Sequence, residues 1–162
     1  MPTTEALRGI YLNDHLAGAT AGLEFFRRAA GNFRGKPAGP ELERLTAEVA
    51  ADRESLLEVL ATLGVEVRRY KVVGGWVVEK VGRLKSNGRL FRRSPLSDLV
   101  ELEGLTLGVV GKGAGWRTLR TWAADEPRLD AGRLDELIAR ADRQRESLEA
   151  LRLQAAQRVR GS

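Results

Sequence analysis

His15 is the only imidazole in the 162-residue chain, and there is no cysteine at all. Disulfides, thiolate nucleophiles, Cys-held zinc, multi-His metal sites and HExxH peptidase chemistry are thereby excluded. A serine nucleophile would have His15 as its sole imidazole base, and nothing in the sequence sets a serine beside it. The glycine-rich run GLTLGVVGKGAG (104–115) invites a phosphate-loop reading. Thr106 stands where a Walker loop needs glycine, however, and Gly113 where it needs Ser or Thr. As a dinucleotide fingerprint the run has Trp116 in place of its third glycine, and no strand precedes it. The chemistry left open is that of buried carboxylates and amides, and that of a basic surface.

The elements that would position such groups are helices. Apolar residues make up 43% of the chain, ordinary for a globular protein, and the length suits a single domain over 1–162. A Thr cap and Gly31 bracket a first helix at about 4–30, and Pro40-Glu41 opens a second that ends at Leu63-Gly64. Ser94-Pro95 begins a third, about 95–124, broken by Asp125-Glu126-Pro127, and a fourth runs over about 130–159. Each carries a stripe spaced by fours and threes: Leu12, Leu16, Ala19, Leu23, Phe26, Ala30; Leu45, Val49, Asp52, Leu56, Val59, Leu63; Leu102, Leu105, Val109, Lys112, Trp116, Leu119; Leu137, Ala141, Gln144, Leu148, Leu151, Ala155. Asp52 and Gln144 interrupt their stripes at the centre, within matching Arg-Glu-Ser-Leu contexts (53–56 and 145–148) that point to a duplicated hairpin. Gly104, Gly108, Gly111 and Gly115 share one face of the third helix. At roughly 1 kcal/mol each, they predict close approach of another helix at the Gly18/Gly22 face.

About thirty residues (64–94) join the second and third helices, too many for a tight turn and suited to a crossover along a bundle. Hairpin, long crossover, hairpin is a ferritin-like plan, and the chain resembles the ferritin-like superfamily in helix lengths and connection pattern. The resemblance implies an all-α antiparallel four-helix bundle. It also implies, in the di-iron members, inward carboxylates on two helices and a Glu-x-x-His pair on each of the other two. This chain departs from that ligand set: Ser55 follows Asp52 by three where a His is needed, and Gln144 holds the equivalent place. Asp52, Gln144, His15 and Glu101 are therefore expected to be buried polar side chains with no metal. Asp52 should be paired with Gln144, a Thr hydroxyl or an Arg, because an unpaired buried carboxylate is costly.

Charge is concentrated in the crossover. Residues 66–93 hold nine Lys/Arg against two acids, a net +7, and the rest of the chain is −2. A short extra helix at about 69–86 would set Tyr70, Val73, Val77, Val81 and Leu84 on one face. Arg68, Arg69, Lys71, Trp76, Lys80, Arg83, Lys85, Arg89, Arg92 and Arg93 would form an anion-binding strip for nucleic acid or an anionic membrane surface.

The expected function is that of a non-catalytic bundle, a scaffold or interaction protein with no cofactor and no small-molecule substrate. A basic binding module is the first alternative and a divergent metal-binding bundle the second. Trp116, Trp122 and the crossover's apolar face point to a homodimer. With neither a signal-peptide pattern nor a membrane-length apolar run, a cytoplasmic location is expected.

Overall fold

The computed structural model describes residues 1–69 and 93–161. Four helices follow in order: α1 (Thr4–Asn32), α2 (Gly39–Leu63), α3 (Pro95–Trp122) and α4 (Ala131–Arg160). Among the described residues there is no strand. Three helices open on side-chain caps that take up otherwise orphaned amides. Thr3 Oγ1 accepts from the Ala6 amide (3.2 Å) and Asp130 Oδ1 from that of Arg133 (3.0 Å). Ser94 and Ser97 cap each other reciprocally at the start of α3 (3.3 and 3.4 Å). α2 has no side-chain cap and opens with a proline in its first turn. It stops at Gly64, whose φ of 68° is open to glycine and strained for other residues. α1 continues through Gly31 to Asn32, α3 ends at Trp122, and α3 is unbroken across Gly111–Gly115.

α1 packs on α2 and α3 on α4, as two hairpins. α1 also packs on α3, and α2 on α4. Every neighbouring pair is antiparallel. Asn32, at the end of α1, donates to Glu101 near the start of α3 (2.8 Å), while His15 near the start of α1 lies against Gly115. Across α2 and α4, Arg44 faces Ser147 (3.5 Å) and Ser55 faces Arg133 (3.3 Å). α2 and α3 therefore run the same way on a diagonal, and Gly64 after α2 and Ser94 before α3 lie at opposite ends of the bundle.

The core falls into two hydrocarbon clusters. One holds Leu23, Phe26, Phe33, Leu42, Leu45, Leu102, Leu105 and Leu148. The other holds Leu12, Leu16, Leu56, Leu60, Trp116, Leu119, Leu134 and Leu137. Trp116 is thus core, and Trp122 is half-buried, stacked with Tyr11 (5.4 Å) under Arg8 (5.2 Å). Of the two tryptophans, Trp116 is used inside the bundle, and Trp122 keeps part of its ring at the surface.

The glycine expectation needs correcting. A Cβ placed on Gly18, Gly22, Gly104, Gly108 or Gly111 would meet no described atom within 4 Å. These glycines sit on the outer side of α1 and α3, turned away from the stripes that make the core. Only Gly115 is closely approached, by the His15 ring, 2.9 Å from where a Cβ would be.

Candidate functional site

Between the two core clusters lies a polar layer built by three helices. Asp52 on α2 is 2% exposed, and Gln144 on α4 is fully buried. Lys112 on α3 reaches inward from its stripe position, its side chain 15% exposed. The Lys112 ammonium donates to Asp52 Oδ2 and to Gln144 Oε1. Gln144 Nε2 donates to the same Asp52 oxygen (3.1 Å) and to Glu48 Oε2 (3.0 Å). Both ends of the amide are thereby used, and its orientation follows from its partners: oxygen toward the cation, nitrogen toward the carboxylates.

Arg140 on α4 brings Nη2 to 2.5 Å from Asp52 Oδ1, an ion pair without hydrogen-bond alignment. Arg44 holds the outer oxygen of Glu48 and both oxygens of Glu41. The central layer thus balances two cations, Lys112 and Arg140, against two carboxylates, Asp52 and Glu48. α1 contributes only Ala19, half-buried on its stripe, and no polar group.

Burial pulls the Lys112 ammonium below its ordinary pKa, and the facing Asp52 carboxylate pulls it back up. A desolvated lysine can be a nucleophile when a substrate reaches it. Two shallow grooves line the bundle's flanks, one at Val109, Gly113 and Asp142 and one at Thr20, Ala51 and Arg53. Neither is lined by Asp52, Lys112 or Gln144.

The donor set does not fit a pair of metal ions. The oxygens that would ligate them already accept from the Lys112 ammonium. A divalent cation about 4 Å from that ammonium would meet a repulsion of about 8 kcal/mol at an effective dielectric of about 20. Arg140 adds to it. Among the described residues no group of three or more His, Cys, Asp or Glu could hold a metal ion.

The other residues singled out from sequence are not brought together here. His15 and Glu101 are half-buried, not buried, because both flank the seam between α1 and α3. His15 stacks on Tyr11 (4.5 Å between ring centres) and against Gly115. Burial lowers its pKa, with Asp14 pulling the other way. Glu101 sits at the far end of α3, accepting from Asn32 (2.8 Å) and pairing with Arg93 (2.5 Å).

Arg93 is drawn out of the anion-binding strip. It also pairs with Asp98 (2.7 Å), which Lys36 holds at 2.8 Å from the other side, and its guanidinium lies over Phe33. Arg68 and Arg69 are exposed. Lys71, Trp76, Lys80, Arg83, Lys85, Arg89 and Arg92, with the short helix expected at 69–86, lie outside the described residues.

Sequence reasoning missed four residues that organise the molecule: Lys112 as the partner of Asp52, Arg140, Glu48 and Asn13. Asn13 is buried, and its side chain pairs with main chain as a strand would. Nδ2 donates to the Glu66 carbonyl (3.1 Å) and, within its own helix, to that of Gly9 (2.9 Å), while Oδ1 accepts from the Arg68 amide (2.7 Å). Lys112 alone carried a signal, a charge at an apolar stripe position. No helix among the described residues is long and apolar enough to cross a membrane. No family model matches the sequence, and no curated protein or solved structure is significantly similar to it.

Proposed function

We propose that this chain is a non-catalytic bundle of the ferritin-like plan, with a lysine in the place of the metal pair, and that it serves as a scaffold or interaction protein without a cofactor. The observation that carries this reading is the Lys112 ammonium between Asp52 and Gln144 at mid-bundle. A fixed cation there supplies from within the chain the positive charge that a buried carboxylate needs. The layer then acts structurally, fixing which helix faces which, a role for which buried polar groups are well attested. Elemental analysis of protein purified without chelator tests it, together with thermal melts in EDTA and in added Fe(II) or Mn(II). The expected result is no stoichiometric metal and an unchanged Tm. Iron or manganese at one or two per chain, lost on chelation with a fall in Tm, would replace this reading with that of a divergent metal-binding bundle.

A second reading has its own support. Arg68 and Arg69 present exposed guanidinium groups where the basic segment leaves the bundle. This favours an anionic partner, nucleic acid or an anionic membrane surface, bound through 68–93. Affinity for duplex DNA or for phosphatidylserine vesicles should then fall linearly on a log–log plot against salt. Neutralising Arg68, Arg69, Lys80 and Arg83 should flatten that slope. An absence of binding to both at low salt removes the reading.

A further inference from the structure

The seam between α1 and α3 is closed at its two ends and open between them. At one end the His15 ring lies against Gly115, and at the other Asn32 donates to Glu101 (2.8 Å). Counting in helical turns from His15 brings Gly18 and Gly22 to the seam, and counting back from Gly115 brings Gly111, Gly108 and Gly104. No described atom lies within 4 Å of where a Cβ on any of these five glycines would be. The result is a furrow about three turns long, walled by glycine.

A ridge runs beside the furrow. Leu96, Val100 and Leu107 follow one another along the outer face of α3, all exposed, Leu107 by 60%. Val110 lies further round the helix, on the flank where it lines a groove with Ala141, Asp142 and Arg145. The face carries almost no charge. From Gly104 to Trp116 the one charged side chain of α3 is Lys112, which reaches inward, and from His15 to Leu23 α1 has only the imidazole. Glu103 is paired with Arg152 of α4 (3.8 Å).

An exposed apolar face marks an interaction site, and helix glycines recover their cost of roughly 1 kcal/mol each where another chain approaches closely. A ridge beside a furrow is complementary to a second copy of itself. In an antiparallel pair of α3 helices about a two-fold axis, setting Leu107 on Gly104 of the other copy also sets Val100 on Gly111, and both contacts occur twice. A two-fold axis also brings any central charge against its own copy, so a face without charge suits this occupant better than it suits a charged partner. The area suffices. Two neighbouring helices about 10 Å apart and about 30 Å long offer roughly 600 Å² per chain, or about 1,200 Å² for a pair, at the lower edge of specific interfaces.

We infer that the α1–α3 face binds a second copy of this chain, as an isologous dimer in which the ridge of Leu96, Val100 and Leu107 on each copy fills the glycine furrow of the other. This goes beyond the scaffold reading by naming a partner and the surface it uses. It also moves the homodimer expected from Trp116, Trp122 and the crossover to a different part of the molecule.

Light scattering and sedimentation of the full chain, from micromolar to near-millimolar, should show a reversible dimer. Leu107→Glu places two carboxylates near the axis and should weaken it by ~100-fold or more. Its helical circular dichroism should be unchanged, because Leu107 is exposed. Leu153→Glu, at an exposed apolar site on α4, should leave the dimer intact. The chain has no cysteine, so Leu107→Cys supplies one thiol per copy. A short bismaleimide should join two copies through it and not through Leu153→Cys. A chain that stays monomeric throughout overturns the inference, and leaves the face to another part of the same chain or to a different protein. A dimer that survives Leu107→Glu, or that is joined through Leu153→Cys and not through Leu107→Cys, also overturns it.

Discussion

On either side of the mid-bundle layer the helices meet through leucine, phenylalanine and valine; within it, Asp52, Lys112, Gln144 and Arg140 meet through charge and hydrogen bonds. The two kinds of contact differ in what they specify. A leucine cluster gains free energy from any arrangement that buries it, at roughly 25 cal/mol per Å², and tolerates neighbours of similar volume. The layer accepts one arrangement. Gln144 can turn its oxygen to Lys112 and its nitrogen to Asp52 and Glu48 only if α2, α3 and α4 stand at this register. The hydrocarbon halves therefore supply most of the stability, and the layer selects one pairing of helices.

This contrast can be broken in graded steps. Removing the central carboxylate with Asp52→Ala leaves Lys112 and Arg140 without their shared counter-charge, and should cost about 3–5 kcal/mol in urea unfolding. A loss below about 1 kcal/mol would mean the layer is not paired as described. Truncation within either half, Leu45→Ala or Leu137→Ala, should cost about 2–4 kcal/mol, since both are fully buried. Replacing the layer wholesale (Asp52→Leu, Lys112→Met, Arg140→Met, Gln144→Leu) should leave stability unchanged or raise it by about 1–3 kcal/mol. The variant should lose its uniqueness of packing, read as poorer amide dispersion in NMR spectra. Sharp, native-like spectra would show that the layer does not set the register.

Gly115→Ala should cost about 1–3 kcal/mol, because its methyl group would push into the His15 ring. The smallest effect concerns pH. Burial holds the His15 pKa below 6.5, so the unfolded chain takes up this proton first as pH falls. Its contribution to stability is therefore complete above about pH 6.5 and declines as pH falls to the lowered folded value. His15→Gln should flatten that part of the stability–pH curve relative to the parent chain.

The helices were legible because their signals are local. Caps at Thr3, Ser94 and Asp130 and the left-handed Gly64 bracket stripes whose members are nearly all buried or half-buried. Asp52 and Gln144 were legible as interruptions, since a polar residue on an apolar stripe has to find a partner. Which partner was not legible. Lys112 stood on its own stripe, but pairing it with Asp52 needs the levels of three helices at once, and Arg140 reaches Asp52 only by the length of its side chain. The glycines of α3 misled for a related reason: a residue without a side chain does not declare whether its face is open or closely packed. Asn13 gave no sign at all, because its partners are main-chain atoms some fifty residues away.

The claim on which the rest depends is that a lysine, and no metal, neutralises the centre of this bundle. A titration of isotope-labelled protein with Mn(II), read as paramagnetic loss of amide signals, tests it most directly. The amides of residues 48–52, 112 and 140–144 should keep their intensity at stoichiometric Mn(II), and any loss should fall on exposed carboxylates such as Glu43 and Glu54. Selective, saturable loss centred on Asp52 and Gln144 would show that the layer opens to a cation, and would contradict the account.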